Sequence, residues 1–210
     1  MRVERLQNLI ARLHALPRRR LTLLVGVDGR AGAGKTTFTR ALAALDPGLD
    51  VIEMRDFALP AAEQPREKDD GVPAERIAAD VDWRRLRTTV LLPLSRDQAA
   101  RYQRYDSTTN AMAEWRLVPV GGIVIVEGRY SCVKALSTFY DFRVWVDCSL
   151  DARRRRLLTD NGTATLWEGS WRPAEEAYIE AQDPAASAHL RVDGSGAVVH
   201  DPAGEYVRVR

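Results

Sequence analysis

The chain has 210 residues, 45% of them hydrophobic and 29% charged, with 31 lysines and arginines against 29 acids. That is ample for one packed core and excludes a disordered or collagen-like polypeptide. A formal net charge of +2 also argues against a strongly basic nucleic-acid binder. Nearly all the positive charge is arginine, since lysine occurs only at Lys35, Lys68 and Lys134. The only cysteines, Cys132 and Cys148, lack CxxC spacing, so neither a zinc site nor a disulfide framework is expected, and a reduced, cytoplasmic setting is. No apolar run approaches the roughly 20 residues of a membrane span. The charged start, Met1 to Arg5, does not resemble a secretory signal.

Leu6, Leu9, Ile10, Leu13 and Leu16 recur at three- and four-residue spacings, predicting an amphipathic packing helix closed by Pro17. Arg18-Arg19-Arg20 reads as a solvated linker. Leu21 to Val27 is a continuous apolar run, the signature of a strand buried on both faces. Similar runs are Val51 to Met54, Ile123 to Val126 and Phe142 to Val146. Helical stretches lie between them at Phe38–Leu45, Trp83–Leu92 and Ala152–Leu158. This alternation predicts an α/β fold with a parallel central sheet and helices on both faces. Residues 57–82 and 159–187 read as long binding or lid loops. Val198–His200 and Tyr206–Val209, joined through Asp201–Gly204, read as a terminal hairpin.

Directly after the first apolar run stands Gly29-Arg30-Ala31-Gly32-Ala33-Gly34-Lys35-Thr36, followed by Thr37 and helix-forming sequence. It fits G-x-x-x-x-G-K-[ST], a phosphate-binding loop. The glycines let successive N–H groups turn inward, and the helix behind adds its positive N-terminus. Lys35 can reach the β- and γ-phosphates of a nucleotide, and the Thr36 hydroxyl can ligate Mg²⁺. No N-K-x-D element is present to read guanine, and the chain is short for a motor, so a small-molecule kinase is expected.

From Gly26-Val27-Asp28-Gly29 through Thr37 the chain resembles the uridine kinase, phosphoribulokinase and type I pantothenate kinase group. The resemblance continues in order through Arg55-Asp56-Phe57, Asp82-Trp83-Arg84-Arg85-Leu86, Leu92-Pro93-Leu94 and Tyr102 to Asp106. It runs on through Val126-Glu127-Gly128, Tyr140-Asp141 with Val144 to Asp147, and the arginine-rich Arg153-x-x-Arg156-x-x-Thr159-Asp160. It implies a P-loop NTPase-type three-layer α/β/α domain over residues 1–210, with a substrate-side insertion at 57–110, a lid at 151–176 and a C-terminal strand or hairpin at 190–210. It also implies ATP with Mg²⁺ and a small-molecule hydroxyl acceptor, with uridine or cytidine leading and nicotinamide riboside, pantothenate or a sugar following. A nucleotide-binding regulator that has lost catalysis is the rival from another class. Neither nucleic acid nor membrane is an expected partner, and homo-oligomerisation is left open.

Residue by residue, the resemblance assigns Lys35 and the loop Gly29 to Thr37 to the nucleotide, and Thr36 with Glu127 to the metal. Asp56, at the crevice end of a strand, is expected to accept the acceptor's proton or to orient Mg²⁺. Arg153 and Arg156, three apart on one helical face, are expected to clamp the transferring phosphoryl. Tyr105 is expected to line the acceptor pocket with Asp56. Trp167 and Trp171 either close the lid or staple it. The chain departs from the pattern at Ala58, Asn110 and Thr159, and the ribose-binding acid falls to Asp80 or Asp82.

Overall fold

A computed structural model describes residues 1–60, 63, 77–159, 167, 169 and 172–209. Lys68, Trp171 and residues 160–166 therefore lie outside the described residues. The strands are, in chain order, β1 (Arg2–Arg5), β2 (Leu23–Gly29), β3 (Leu49–Glu53), β4 (Ala100–Asp106), β5 (Ala111–Val118), β6 (Ile123–Glu127), β7 (Phe142–Asp147), β8 (Leu190–Asp193) and β9 (Glu205–Arg208). The helices are α1 (Leu6–His14), α2 (Lys35–Leu45), α3 (Trp83–Leu86 continued through Arg87–Leu91 and Leu92–Ser95), α4 (Lys134–Ser137), α5 (Leu150–Leu158) and α6 (Arg172–Gln182).

The apolar runs become the parallel centre of the sheet, in the order β3-β6-β2-β7-β8. β2 and β6 are buried at every residue, which is why they read as unbroken apolar runs rather than as alternation. Successive side chains still point to opposite faces. Leu23, Val25 and Val27 join Leu6, Leu9 and Leu13 of α1 and Phe38 and Leu42 of α2 in one core cluster. Leu24, Val124 and Val126 join Leu86, Val90, Leu91 and Leu94 of α3, Leu136 of α4 and Tyr178 of α6 in another. Helices thus cover both faces of the sheet, as the alternation predicted.

Several elements differ from expectation. The terminal hairpin pairs β9 with β8, with Val192 opposite Arg208, so its first strand is Leu190–Asp193 rather than Val198–His200. Leu190 and Val192 are buried against the core, which draws that segment into the sheet beside β7. β1 then pairs antiparallel with β9 and covers its outer edge. Part of the stretch read as a loop is α6, whose apolar face is too short to give a clear 3.6 period. The resemblance segment around Tyr102 is one arm of a separate antiparallel hairpin, β4 with β5. α3 widens to a π segment at Arg87–Leu91 just ahead of Pro93, whose ring does not fit a regular helical ladder. Among the described residues no helix is long and apolar enough to cross a membrane.

Candidate active site

The phosphate loop leaves the C-terminal end of β2, the middle one of the five parallel strands. From β2 the chain goes by α2 toward β3, and from β7 it goes the opposite way toward β8. Such a switch point opens a crevice at the strand ends, where ligands bind in open α/β sheets. Gly32 (φ +70°) and Gly34 (φ +98°) take left-handed backbone, the conformation that turns the loop back into the N-terminus of α2 and that side chains rarely adopt.

Lys35, 7% exposed, curls over its own loop and donates to the carbonyls of Gly29 (2.8 Å) and Arg30 (2.9 Å). Burial pulls the ammonium below the ordinary lysine range, opposed by the charges of Glu127, Asp28 and Glu175. Thr36 stands in the first turn of α2, and its hydroxyl donates to Glu127 Oε1 at the end of β6 (2.8 Å). Burial raises the Glu127 carboxyl, with the Thr36 hydrogen bond and Lys35 working against it. The expected Thr36 and Glu127 are thus brought together across 91 positions of sequence. Among the described residues there is no cluster of three or more histidines, cysteines or acids arranged to hold a metal. A hydroxyl and a carboxylate beside a phosphate loop nonetheless suit Mg²⁺, which takes one or two protein oxygens with phosphates and water.

Asp56 sits in the short 3₁₀ turn Met54–Phe57 that follows β3, at the same end of the sheet as Glu127, since Glu53 pairs with Glu127 in register. It is 3% exposed. One oxygen accepts from the Tyr102 hydroxyl (3.0 Å) and the other from Arg104 Nε (2.9 Å), both from β4. Arg116 of β5 lies 4.0 Å away. The bond to Asp56, then that to Glu114, holds Arg104 above the ordinary guanidinium range. Burial and then the Asp56 charge raise the Tyr102 phenol, so it stays a donor. Tyr102 stacks on Phe57 at 4.9 Å. The hairpin is therefore the support of Asp56, a connection that the sequence did not reveal. Tyr105 lies farther along β4, with its hydroxyl donating to Asn110 at the hairpin turn (2.6 Å).

Of the two candidate ribose acids, Asp82 caps α3 by accepting from the Arg85 amide (2.9 Å). Asp80 instead meets Arg129 at 2.6 Å, and Arg129 lies two residues beyond Glu127. Asp80 thus meets a residue next to the end of β6, whereas Asp82 serves as a helix cap.

The two arginines of α5 both reach the phosphate loop, in different ways. The outer curve of the loop packs directly on α5, where a Cβ at Gly32 would lie 3.2 Å from the Arg153 carbonyl. Arg153 is buried and paired with Glu175 of α6 (3.4 Å). Arg156 is exposed and donates to the carbonyls of Gly32 (2.9 Å) and Gly194 (2.7 Å). Gly194, after β8, lies so close to the loop that a Cβ there would fall 1.9 Å from the Ala33 carbonyl. Trp167, 1% exposed, packs with Ala31 and Leu157.

Asp28, the residue before the loop, was not singled out as a site residue, although an acid inside an apolar run was the available signal. It is 1% exposed and accepts from the amides of Gly29, Tyr130 and Cys132 and from the Tyr178 hydroxyl of α6 (2.8 Å). Burial raises its carboxyl, against the hydrogen bonds from Cys132, Tyr178 and Gly29 and the charge of Lys35. Asp28 ties β2, the segment after β6 and α6 into one unit. Asp28→Ala would leave buried donors unmet, and urea unfolding should show a loss of about 3 kcal/mol or more. An unchanged midpoint would mean that water replaces the carboxylate.

Solved structures share this architecture. A possible uridine kinase from Bacillus stearothermophilus matches 89% of this chain and 96% of its own, with a TM-score of 0.69 at 21% identity. D-glycerate 3-kinase from Cryptococcus neoformans matches over 90% and 92% (TM-score 0.55, 15% identity). Phosphoribulokinase from Rhodobacter spheroides matches over 82% and 70% (TM-score 0.55, 14% identity). The chain has the three-layer α/β/α fold of the uridine kinase-like P-loop kinases. No protein-family model matches it, and no curated protein matches it in sequence.

Proposed function

We propose that the chain is an ATP-dependent kinase that moves the γ-phosphoryl group to a hydroxyl of a small molecule, with a pyrimidine nucleoside, uridine or cytidine, as the leading acceptor. The observation that carries this reading is the phosphate loop with Lys35 buried in it and Thr36 bonded to Glu127 beside it. Lys35 and the loop amides would hold the phosphates of the donor. Thr36 and Glu127 would hold Mg²⁺, directly or through its waters, and Mg²⁺ supplies charge neutralisation and orientation of the phosphates. Arg153 and Arg156 would meet the negative charge of the transferring group.

Asp56 would accept a hydrogen bond from the acceptor hydroxyl and take its proton. Both its oxygens are already engaged, so an acceptor hydroxyl competes with Tyr102 or Arg104 for one of them. Any carboxylate is a weak base. A weak base suffices here, because phosphoryl transfer runs through a loose transition state that asks little early deprotonation of the nucleophile. Residues 57–110 and 151–176 would form the acceptor side and the lid of this site. The nucleoside preference rests on the resemblance alone, from which the chain departs at Ala58, Asn110 and Thr159.

A non-catalytic ATP-binding regulator is the second reading, and the full engagement of Asp56 is the observation on its side. A screen of ADP release from ATP·Mg²⁺ with nucleosides, vitamins and sugars separates the two. Stimulation by uridine or cytidine is the expected result. Stimulation by another hydroxyl compound would keep the kinase and replace the acceptor. Tight ATP binding without stimulation by any acceptor would leave the regulator.

A further inference from the structure

α6 places a carboxylate on the phosphate loop itself. Glu175 Oε1 accepts from the Ala31 amide at 2.6 Å, and Oε2 lies 3.4 Å from Arg153 Nη1. Both side chains are nearly sealed from solvent, at 3% and 4% exposure. The next residue, Glu176, clamps the Arg30 guanidinium with both oxygens. Two consecutive acids of α6 thus hold two consecutive residues of the loop. A buried loop amide bonded to an anionic oxygen, with a guanidinium on the other oxygen, is the set of contacts a phosphate group would make.

Beside Glu175 stand buried donors that one carboxylate does not satisfy. Arg153 Nε and Trp167 Nε1 are both buried without a hydrogen-bond partner among the described residues. They belong to neighbouring groups, with the guanidinium 5.4 Å from the Trp167 ring centroid. Buried donors are rarely left unmet. An anion with more oxygens than a carboxylate has acceptors for them.

On the reading that this loop binds phosphate, we propose that Glu175 is a built-in competitor for the phosphate: the donor's phosphate displaces its carboxylate from the Ala31 amide, and Arg153 then passes from Glu175 to the phosphate. The exchange keeps Arg153 paired in both states, which avoids a buried guanidinium without a counter-charge, and puts the cost on the displaced Glu175 carboxylate. It also sets nucleotide affinity below what the loop alone would give, because each binding event must first break the Glu175 contacts.

Glu175→Gln keeps the shape and removes the charge, and Glu175→Ala removes the acceptor as well. Isothermal titration with ATP·Mg²⁺ should show Glu175→Gln binding about tenfold tighter than wild type, the worth of one charge-assisted hydrogen bond. ATP·Mg²⁺ should also raise its melting temperature by more than that of wild type, and Glu175→Ala should shift in the same direction. A purely structural Glu175 predicts the opposite: lower melting temperatures with affinity unchanged or weaker, which overturns the proposal while leaving the phosphate reading intact. Failure of the wild-type chain to bind ATP·Mg²⁺ at all overturns both.

Discussion

Lys35→Ala is expected to lower turnover by about 10²-fold or more while the chain stays folded. The reason lies in where the charge is held. The ammonium is buried and bonded to the carbonyls of Gly29 and Arg30, and burial already pulls it below the usual lysine range. A cation so placed needs little reorganisation to meet a phosphate, and its removal from a dry site costs as much as removing an oxyanion donor, about 10²- to 10³-fold. Lys134, the other described lysine, is exposed on α4. The two hydrogen bonds from a charged group are worth about 1.5–3 kcal/mol each, so stability is to be followed beside turnover. An ADP-release assay beside a circular-dichroism melt checks both. Activity retained in a folded variant would remove Lys35 from the mechanism.

Asp56→Asn is expected to lower kcat by about 10²-fold, with the KM for ATP little changed. The amide keeps the size of the side chain but has no basicity. It also leaves Arg104 without its Asp56 ion pair and changes the acceptor offered to Tyr102. Steady-state kinetics with donor and acceptor varied separately give the division. A change confined to the acceptor's KM would mean that Asp56 binds the acceptor and does not take its proton. Melting measured alongside separates either result from a loosened hairpin, because this carboxylate also ties β4 to the turn after β3.

The phosphate loop was legible because its parts are contiguous: strand, glycine-spaced turn, lysine, hydroxyl and helix follow one another with no tertiary information needed. Glu127 was legible for a related reason. An acid ending an apolar strand must find a partner, and the loop at the end of the neighbouring strand supplies Thr36. The partners of Asp56 were not legible. Tyr102, Arg104 and Arg116 stand on a hairpin that pairs mainly with itself, and nothing in its alternation says which acid it will cover. Arg153 and Arg156 were read as one face. Packing divided them, sealing Arg153 against Glu175 and Trp167 and leaving Arg156 in solvent on two carbonyls. Asp80 and Asp82 were equivalent in sequence until one became a helix cap and the other met Arg129.

By itself the sequence determined the layered α/β fold and the glycine-rich turn from strand to helix, because strand burial, helical period and turn chemistry are properties of neighbouring residues. The tertiary structure decided which charges meet. Glu175 and Ala31 are 144 positions apart, Tyr178 and Asp28 150, and Arg104 and Asp56 48. Such pairings depend on distance through space in a low-dielectric interior, where one buried contact outweighs many exposed charges. The chain's near balance of arginines and acids carries no record of them, since a net charge is a sum and the site is made by placement.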